Sequence, residues 1–349
     1  MTAPQNAPAP SPLRFFETAN AYQRTRAIEA AVQLDLFTAI GEAGGAPGSG
    51  AAGPAAAEIA RRCGAAERGV RVLCDFLTVL GFLTKQDFRY SLAPDSAAFL
   101  DRRSPAYMGS ALQFLLSPLL TKNFDHLAAA VRKGGTAADD FGTTAPEAEV
   151  WVDFAAGMGP MQRMPATLIA NLLAERGIRT GRVLDLAAGH GMFGIGIAQA
   201  NPRAEITALD WPNVLEVAKA NARAAGIESR YRTIAGSGFD VDYGAGYDVV
   251  LLTNILHHFD RAGCEALMRK AHAALEPGGC AVTLEFVPNH DRVSPPETAM
   301  FALIMLASTP AGDAYTFSEY DAMFRNAGFV RSSIHALPPT FQQVILSYK

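Results

Sequence analysis

The segment DLAAGHGMFG occupies residues 185–194 and contains a G-x-G-x-x-G pattern at Gly189, Gly191 and Gly194. A glycine-rich turn between a strand and a helix lets the backbone approach a ligand without a Cβ clash. The pattern alone is a weak signal. It fits a nicotinamide dinucleotide, another adenosine-bearing cofactor, or no ligand at all. The residues on either side of it must decide between these.

Short apolar runs alternate with helical stretches on both sides of this loop. Helices between successive strands indicate a parallel sheet, because parallel strands need crossover connections. The last two runs are joined by a turn at Pro338-Pro339, so one late strand must run antiparallel. We therefore predict an α/β fold, a doubly wound sheet with an antiparallel terminal hairpin. The predicted strands are RVLDL (182–186), EITALD (205–210), YRTIAG (231–236), YDVVLLTN (247–254), CAVTLEFV (280–287), VRSSIHAL (330–337) and FQQVILSYK (341–349).

The part of the chain before the sheet divides into three predicted regions. Residues 1–12 are polar and Pro/Ala-rich, which indicates a disordered leader. Residues 13–105 have the helix, helix, hairpin order of a winged helix. Its second helix carries apolar Val70, Leu73 and Leu77 where a DNA reader needs polar groups, so a dimerisation module is favoured. Residues 106–178 are predicted to form a helical linker and substrate-pocket region, with breaks at Gly134-Gly135 and around Pro146. The sheet domain is assigned to residues 179–349.

Composition excludes several classes of protein. A net charge of −4 over 349 residues argues against a dedicated nucleic-acid binder. No apolar run approaches the roughly 20 residues of a membrane span, so we expect no membrane partner. The four cysteines, Cys63, Cys74, Cys264 and Cys280, form no C-x-x-C pair. Scattered cysteines predict a reduced, cytoplasmic protein without disulfides or a metal site.

Asp210 ends the second predicted strand, about 20 residues after the glycine loop. An acidic side chain at this place can accept hydrogen bonds from both hydroxyls of a ribose. The loop and Asp210 together predict an adenosine-bearing cofactor without saying which one.

Six segments, taken together and in order, resemble one family. They are VLDLAAGHG, ALDWP, AGSGFD, NILHHFD, LEFVPN and GDAYTFSEYDAMFRNAGF. The chain resembles the small-molecule O-methyltransferases of the caffeate and antibiotic-tailoring type, which depend on S-adenosylmethionine (SAM). The resemblance implies a Rossmann-like class I methyltransferase domain behind a winged-helix dimerisation domain. It also implies a homodimer that methylates a small, aromatic hydroxylated metabolite.

The resemblance assigns a set of cofactor contacts. Alanines at 187 and 188 stand where the family commonly has glycine, which a methyl group tolerates only if φ is negative. Ser237 stands where the family often has Asp. The implied cofactor residues are Asp185, Gly189, Gly191, Asp210, Trp211, Ser237, Phe239 and Asn254.

The resemblance also assigns the chemistry. His257 matches the general base and Glu285 the acid that orients it. A histidine with an ordinary pKa near 6.5 can take the proton of a phenol. A second family Glu is replaced by Ala314, so either Glu285 and Asp313 suffice or positioning dominates. A pocket for the acceptor is expected from the middle helices and the segment 301–305, with substrate contacts at Phe154, Met158, Met161, His258 and Met305.

Three alternatives remain open from the sequence. The same fold supports C- or N-methylation. The glycine loop by itself fits an NAD-dependent oxidoreductase, although no hydride-transfer constellation follows it. Finally, Ala187, Ala188 and Ala314 leave room for a non-catalytic dimeric regulator.

Overall fold

The computed structural model describes residues 10–48, 52–138, 142–145, 147 and 150–349. The chain forms two compact units, Met1–Gly109 and Ser110–Lys349. The first nine residues of the predicted leader and the predicted break at Pro146 lie outside the described residues.

The first unit has the predicted winged-helix order. Buried Val70, Cys74 and Leu77 lie on one face of its fifth helix, which explains why those positions are apolar. Gly64, in the left-handed conformation, ends the fourth helix as predicted. Its helices are α1 (Leu13–Ala19), α2 (Ala21–Gln33), α3 (Leu36–Ile40), α4 (Ala56–Cys63), α5 (Glu67–Val79) and α6 (Pro94–Phe99), and the wing hairpin is β1 (Leu83–Gln86) with β2 (Arg89–Leu92).

The start of the first unit carries exposed apolar side chains. Leu13, Phe15, Phe16 and Tyr22 are each more than half exposed in the single chain. None of the residues of α1 is buried. A run of large apolar side chains left in water marks a surface that another chain can cover.

The second unit contains the remaining helices and a seven-stranded sheet. Its helices are α7 (Ala111–Leu115), α8 (Pro118–Asp125), α9 (Leu127–Lys133), α10 (Val150–Glu175), α11 (Met192–Ala200), α12 (Pro212–Ala224), α13 (Arg261–Ala274), α14 (Pro296–Ala299), α15 (Phe301–Ser308) and α16 (Phe317–Asn326). Its strands are β3 (Arg182–Leu186), β4 (Glu205–Asp210), β5 (Tyr231–Ala235), β6 (Tyr247–Thr253), β7 (Leu275–Glu285), β8 (Arg331–Ala336) and β9 (Gln343–Tyr348).

The sheet has the order β5-β4-β3-β6-β7-β9-β8. Neighbouring strands from β5 to β7 pair in parallel, and β9 pairs antiparallel with both β7 and β8. The predicted doubly wound sheet with an antiparallel terminal hairpin is therefore confirmed. The predicted start of the fifth strand at Cys280 is wrong. Tyr247 already pairs with Leu275, and the EPGG segment bulges out before Val249 pairs with Cys280.

Helices cover both faces of the sheet. Side chains that alternate along β3 and β6 point to opposite faces, so consecutive residues join different cores. Leu184, Val250 and Leu252 pack with α13 and α16. Val183, Val249 and Leu251 pack with α10 and α11.

Two predicted helix signals are present. Thr316 and Glu319 form the capping box at the start of α16, and Gly134 ends α9 in the left-handed conformation. Within the described ranges, no helix is long and apolar enough to cross a membrane.

Candidate functional site

The carboxyl edge of the sheet gathers the predicted residues. β3, β4, β6 and β7 are neighbours and parallel, so their ends at Leu186, Asp210, Thr253 and Glu285 lie along one edge. The glycine loop, Trp211, Asn254 and the histidine pair follow these ends. This is where open α/β sheets bind their ligands.

The glycine loop is a tight turn with three left-handed residues. Ala187, Gly189 and Gly191 have φ values of +54°, +55° and +74°. The methyl condition stated above is therefore met at Ala188, which is buried with no positive φ, and is not met at Ala187. An L side chain in this region is strained, so the loop holds Ala187 in a costly conformation.

Asp210 fastens this loop to the second strand. Its Oδ2 accepts a hydrogen bond from the Gly189 amide at 2.7 Å, and its Oδ1 accepts one from the Trp211 amide at 2.7 Å. Burial raises the pKa of this carboxyl to about 6, against the two amides, which favour its charged form. Each oxygen keeps a further lone pair for a ligand hydroxyl.

Asp185 lies beneath the loop and is fully buried. Its Oδ2 accepts a hydrogen bond from the Gly194 amide at 3.1 Å, while its Oδ1 has no hydrogen-bond partner. Burial raises the pKa of Asp185 to about 7. A Cβ at Gly194 would lie 2.7 Å from Ile206 Cγ2 and 3.0 Å from Asp185 Oδ2. Gly194 therefore lets α11 pack close to the sheet, as a glycine at this place in the pattern often does.

Ser237 and Phe239 lie in the irregular loop after β5. The Ser237 hydroxyl accepts a hydrogen bond from the Phe239 amide at 3.1 Å, so it stabilises the turn itself. Lys270, on α13, holds this loop from outside. Its ammonium donates to the carbonyls of Phe239 and Val241 at 2.7 and 2.8 Å and lies 4.6 Å from the centre of the Tyr243 ring. Sequence reasoning missed Lys270, because its helical position carries no local motif.

Asn254 follows β6 with a φ of +55°. Its amide donates to the Leu284 carbonyl at 2.9 Å, and its side-chain oxygen accepts a hydrogen bond from Gln342. Gln342, next to the start of β9, was also missed, since the contact depends on how the hairpin returns to the sheet.

His257 and Glu285 form a buried pair. His257 Nδ1 lies 2.5 Å from Glu285 Oε2, and the two side chains are 6% and 0% exposed. The other oxygen, Oε1, accepts hydrogen bonds from the amides of Leu256 and His257 at 3.0 and 3.4 Å. The carboxylate therefore orients the ring through Nδ1 and fixes the turn that carries it. This arrangement leaves Nε2 as the free basic atom.

His258 packs against the same ring. The Nε2 atoms of His257 and His258 are 3.1 Å apart. Burial, with the neighbouring His257, holds the pKa of His258 well below its ordinary value, so the ring is neutral. Trp151, on α10, meets the His258 ring edge-on at 5.1 Å. Trp151 was missed because a lone tryptophan in a helical stretch gives no functional signal.

Asp313 does not support the base with its side chain. Its carboxylate pairs with Arg292 at 3.0 Å, and its amide donates to the His257 carbonyl at 3.0 Å. Ala314 is buried and has no polar side chain. Of the two possibilities left open by the sequence, Glu285 is thus the carboxylate that contacts the His257 ring, within the described part of the chain.

Aromatic side chains from α10 approach both the loop and the histidines. Phe154 stacks on His190 of the glycine loop at 5.9 Å and meets Trp151 at 5.7 Å. Met158 and Met161, further along α10, are half-buried. From the other side, Phe301 meets the His257 ring edge-on at 4.8 Å, and Met305 is buried on the same helix.

Comparison with known families matches both units. Residues 124–330 match the O-methyltransferase domain family, and residues 16–102 match the O-methyltransferase dimerisation domain. Among curated proteins, the chain is 28% identical to 3-hydroxy-5-methyl-1-naphthoate 3-O-methyltransferase of Streptomyces sahachiroi, over 91% of this chain and 89% of that protein. It is 30% identical to acetylserotonin O-methyltransferase of Mus musculus molossinus, over 79% of this chain and 75% of that protein.

Solved structures give the same result. A candidate O-methyltransferase from Nostoc punctiforme superposes with a TM-score of 0.92 at 55% identity, covering 98% of this chain and all of that one. Human N-acetylserotonin methyltransferase in complex with SAM superposes with a TM-score of 0.82 at 23% identity, covering 99% of each chain. The second likeness is one of fold.

Proposed function

The chain belongs to the O-methyltransferase family, an enzyme family dependent on SAM, and we propose that it methylates a hydroxyl group of a small aromatic molecule. The naphthoate enzyme and the tetracenomycin 8-O-methyl transferase of Streptomyces glaucescens, 27% identical over 92% of each chain, support an aromatic acceptor by their names. The observation that carries the proposal is the buried His257–Glu285 pair at the carboxyl edge of the sheet.

The residues at the edge fit SAM. A ligand with a ribose finds lone pairs on Asp210, beside a loop whose left-handed turn brings backbone close to it. A ligand with an ammonium group finds a buried carboxylate, Asp185, with one oxygen unsatisfied. Trp211, Ser237, Phe239 and Asn254 are proposed as the further contacts. When bound, SAM supplies an electrophilic methyl group on a sulfonium.

The chain's own residues supply the proton acceptor and a dry site. Phe154, Trp151 and Phe301 surround the histidines and the glycine loop with aromatic surface. His257, oriented through Nδ1, takes the proton of the acceptor hydroxyl. Glu285 stabilises the imidazolium that forms, because its charge lies 2.5 Å away in a buried setting. Met158, Met161, His258 and Met305 are proposed to complete the acceptor pocket.

A homodimer completes the proposal. The matched dimerisation domain contains most of the exposed apolar surface of the first unit, including Phe16 and Tyr22. A second copy of the chain is the proposed cover for this surface. A cytoplasmic location is proposed from the four free cysteines, three of which are buried. The methyltransferase family favours methyl transfer over the oxidoreductase and the non-catalytic regulator.

Carbon methylation is the second candidate, because L-tyrosine C(3)-methyltransferase of Streptomyces lavendulae is 29% identical over 47% of this chain. The test is a screen of hydroxynaphthoates, hydroxyindoles and simple phenols with SAM, followed by mass spectrometry and NMR of the product. We expect a methyl ether. A methyl group on a ring carbon would establish the second candidate, and consumption of no phenolic acceptor would refute both.

A further inference from the structure

The hydrogen bonds around the histidine pair determine which nitrogen carries each proton. Glu285 accepts from Nδ1 of His257 at 2.5 Å, so a neutral His257 has only a lone pair at Nε2. His258 must then be the donor across the 3.1 Å between the two Nε2 atoms. A neutral His258 that donates through Nε2 keeps its lone pair at Nδ1. The three side chains thus form one directed chain that ends at Nδ1 of His258.

That end of the chain has no partner. Nδ1 of His258 is buried and makes no hydrogen bond, and the residue is 8% exposed. A buried acceptor without a donor costs about 1–3 kcal/mol, which native structures rarely leave uncompensated. The His258 ring packs against Trp151, which touches Phe154, and Phe154 stacks on the glycine loop. His258 therefore lies against the aromatic wall that connects the histidines to the cofactor loop.

Resting on the proposed function, we propose that the acceptor hydroxyl donates its hydrogen bond to Nδ1 of His258, and that His258 passes a proton on to His257. The lone pair of His257 Nε2 is already occupied by His258 in this structure, whereas Nδ1 of His258 is the unsatisfied acceptor of the pair.

The transfer balances as follows. The acceptor O–H bond breaks as its proton moves to Nδ1 of His258. The Nε2–H bond of His258 breaks as that proton moves to Nε2 of His257. The electron pair stays on the acceptor oxygen, which becomes the nucleophile of the methyl transfer. His258 stays neutral throughout, and the positive charge rests on His257 beside Glu285. The pair is reset when the Nε2 proton returns to His258 and the Nδ1 proton leaves to water.

Burial and charge favour this distribution. His258 lies in apolar surroundings next to Trp151 and His257, and burial lowers its pKa, so it is a poor place for a positive charge. His257 has the only carboxylate that contacts either ring among the described residues. A relay through His258 puts the charge at the one ring that a carboxylate stabilises.

The direct test needs no methyl acceptor. Protein labelled with ¹⁵N-histidine reports each tautomer in long-range ¹H–¹⁵N spectra, with the two residues assigned from His257→Gln and His258→Gln. We expect the proton of His257 on Nδ1 and that of His258 on Nε2, and we expect phenol at millimolar concentration to shift Nδ1 of His258. A proton on Nε2 of His257, or a phenol shift confined to His257, would overturn the relay.

Kinetics supply a second readout with a matched pair. In His258→Gln the amide can reach the Nε2 position and in His258→Asn the Nδ1 position, but neither can relay a proton. We expect both to lose roughly 10²–10⁴-fold in kcat at pH 7 while SAM affinity, measured by calorimetry, stays within about threefold of wild type. The loss should shrink as pH approaches the acceptor's pKa, near 10 for a phenol, since an ionised acceptor needs no relay.

The two failures are distinguishable. Wild-type kcat in both His258 variants, together with an inactive His257→Ala, would refute the relay and leave His257 as the direct base. An active His257→Ala would refute the proposed function itself. If no phenol is methylated by any form, the tautomer spectra still decide the relay.

Discussion

The two alanines of the glycine loop receive opposite predictions. Ala187 has a φ of +54°, whereas Ala188 has no positive φ and is buried against Ala208 and Leu215. Replacing each by glycine makes the same chemical change in the unfolded chain. Any difference between the two variants therefore reports on the folded loop, because the entropic cost of glycine cancels in the comparison.

The magnitude follows from the backbone and the burial. Glycine at 187 relieves a left-handed conformation that costs an L residue roughly 1–2 kcal/mol, against roughly 0.5–1 kcal/mol of added chain entropy and part of a half-buried methyl. The net change is close to zero or slightly stabilising. Glycine at 188 relieves nothing and removes a buried methyl of about 0.8 kcal/mol. We expect Ala187→Gly to exceed Ala188→Gly by about 2 kcal/mol.

Thermal unfolding of the purified variants measures this difference. In a unit of the size of Ser110–Lys349, 2 kcal/mol corresponds to roughly 4–8 °C in Tm. We expect Ala187→Gly to melt at or slightly above wild type, and Ala188→Gly several degrees below it. Equal melting temperatures, or a lower one for Ala187→Gly, would show that the loop does not hold Ala187 in a strained conformation.

Three further predictions concern the support of the loops. Gly194→Ala should lower stability by roughly 1–3 kcal/mol, measured by urea unfolding, since its Cβ would meet Ile206 at 2.7 Å; an unchanged midpoint would contradict this packing. Lys270→Met should weaken SAM binding about tenfold by calorimetry, as it removes two charged hydrogen bonds from the 236–243 loop, whereas Lys270→Arg should retain most of the affinity; equal affinities in both would exclude this role. Burial raises the pKa of Asp185 to about 7, so the folded state binds more protons than the unfolded state between about pH 4 and 7, and stability from this group falls as pH rises through that window. Melting of the unliganded protein from pH 5 to 8 should show this fall, and Asp185→Asn should remove it; identical slopes would refute the assignment.

Much of the fold was predictable because local pattern and tertiary structure agree. The strands ending at Leu186 and Asp210 have the predicted bounds, since buried parallel strands are short apolar runs between turn residues. Gly194 was also predictable, because helix packing close to a sheet demands the absence of a side chain. The pairing of His257 with Glu285 followed from two strand ends that the topology brings together.

Other features depend on three-dimensional contacts that leave no local signal. The positive φ of Ala187 arises from the closure of the loop around Asp210, and alanine itself gives no hint of it. The contact of His258 with Trp151 joins residues more than 100 positions apart and depends on how α10 crosses the sheet edge. The pairing of Asp313 with Arg292, which takes that carboxylate away from the base, depends on the path of the loop before α14.

Methyl transfer by the His257–Glu285 pair is most directly tested by two parallel measurements on His257→Ala. One is SAM affinity by calorimetry and the other is kcat on the phenolic acceptor identified by the screen. We predict an unchanged SAM affinity, within about threefold, and a loss of roughly 10²–10⁴-fold in kcat. Wild-type turnover by His257→Ala on the same acceptor would contradict the assignment of His257 as the proton acceptor.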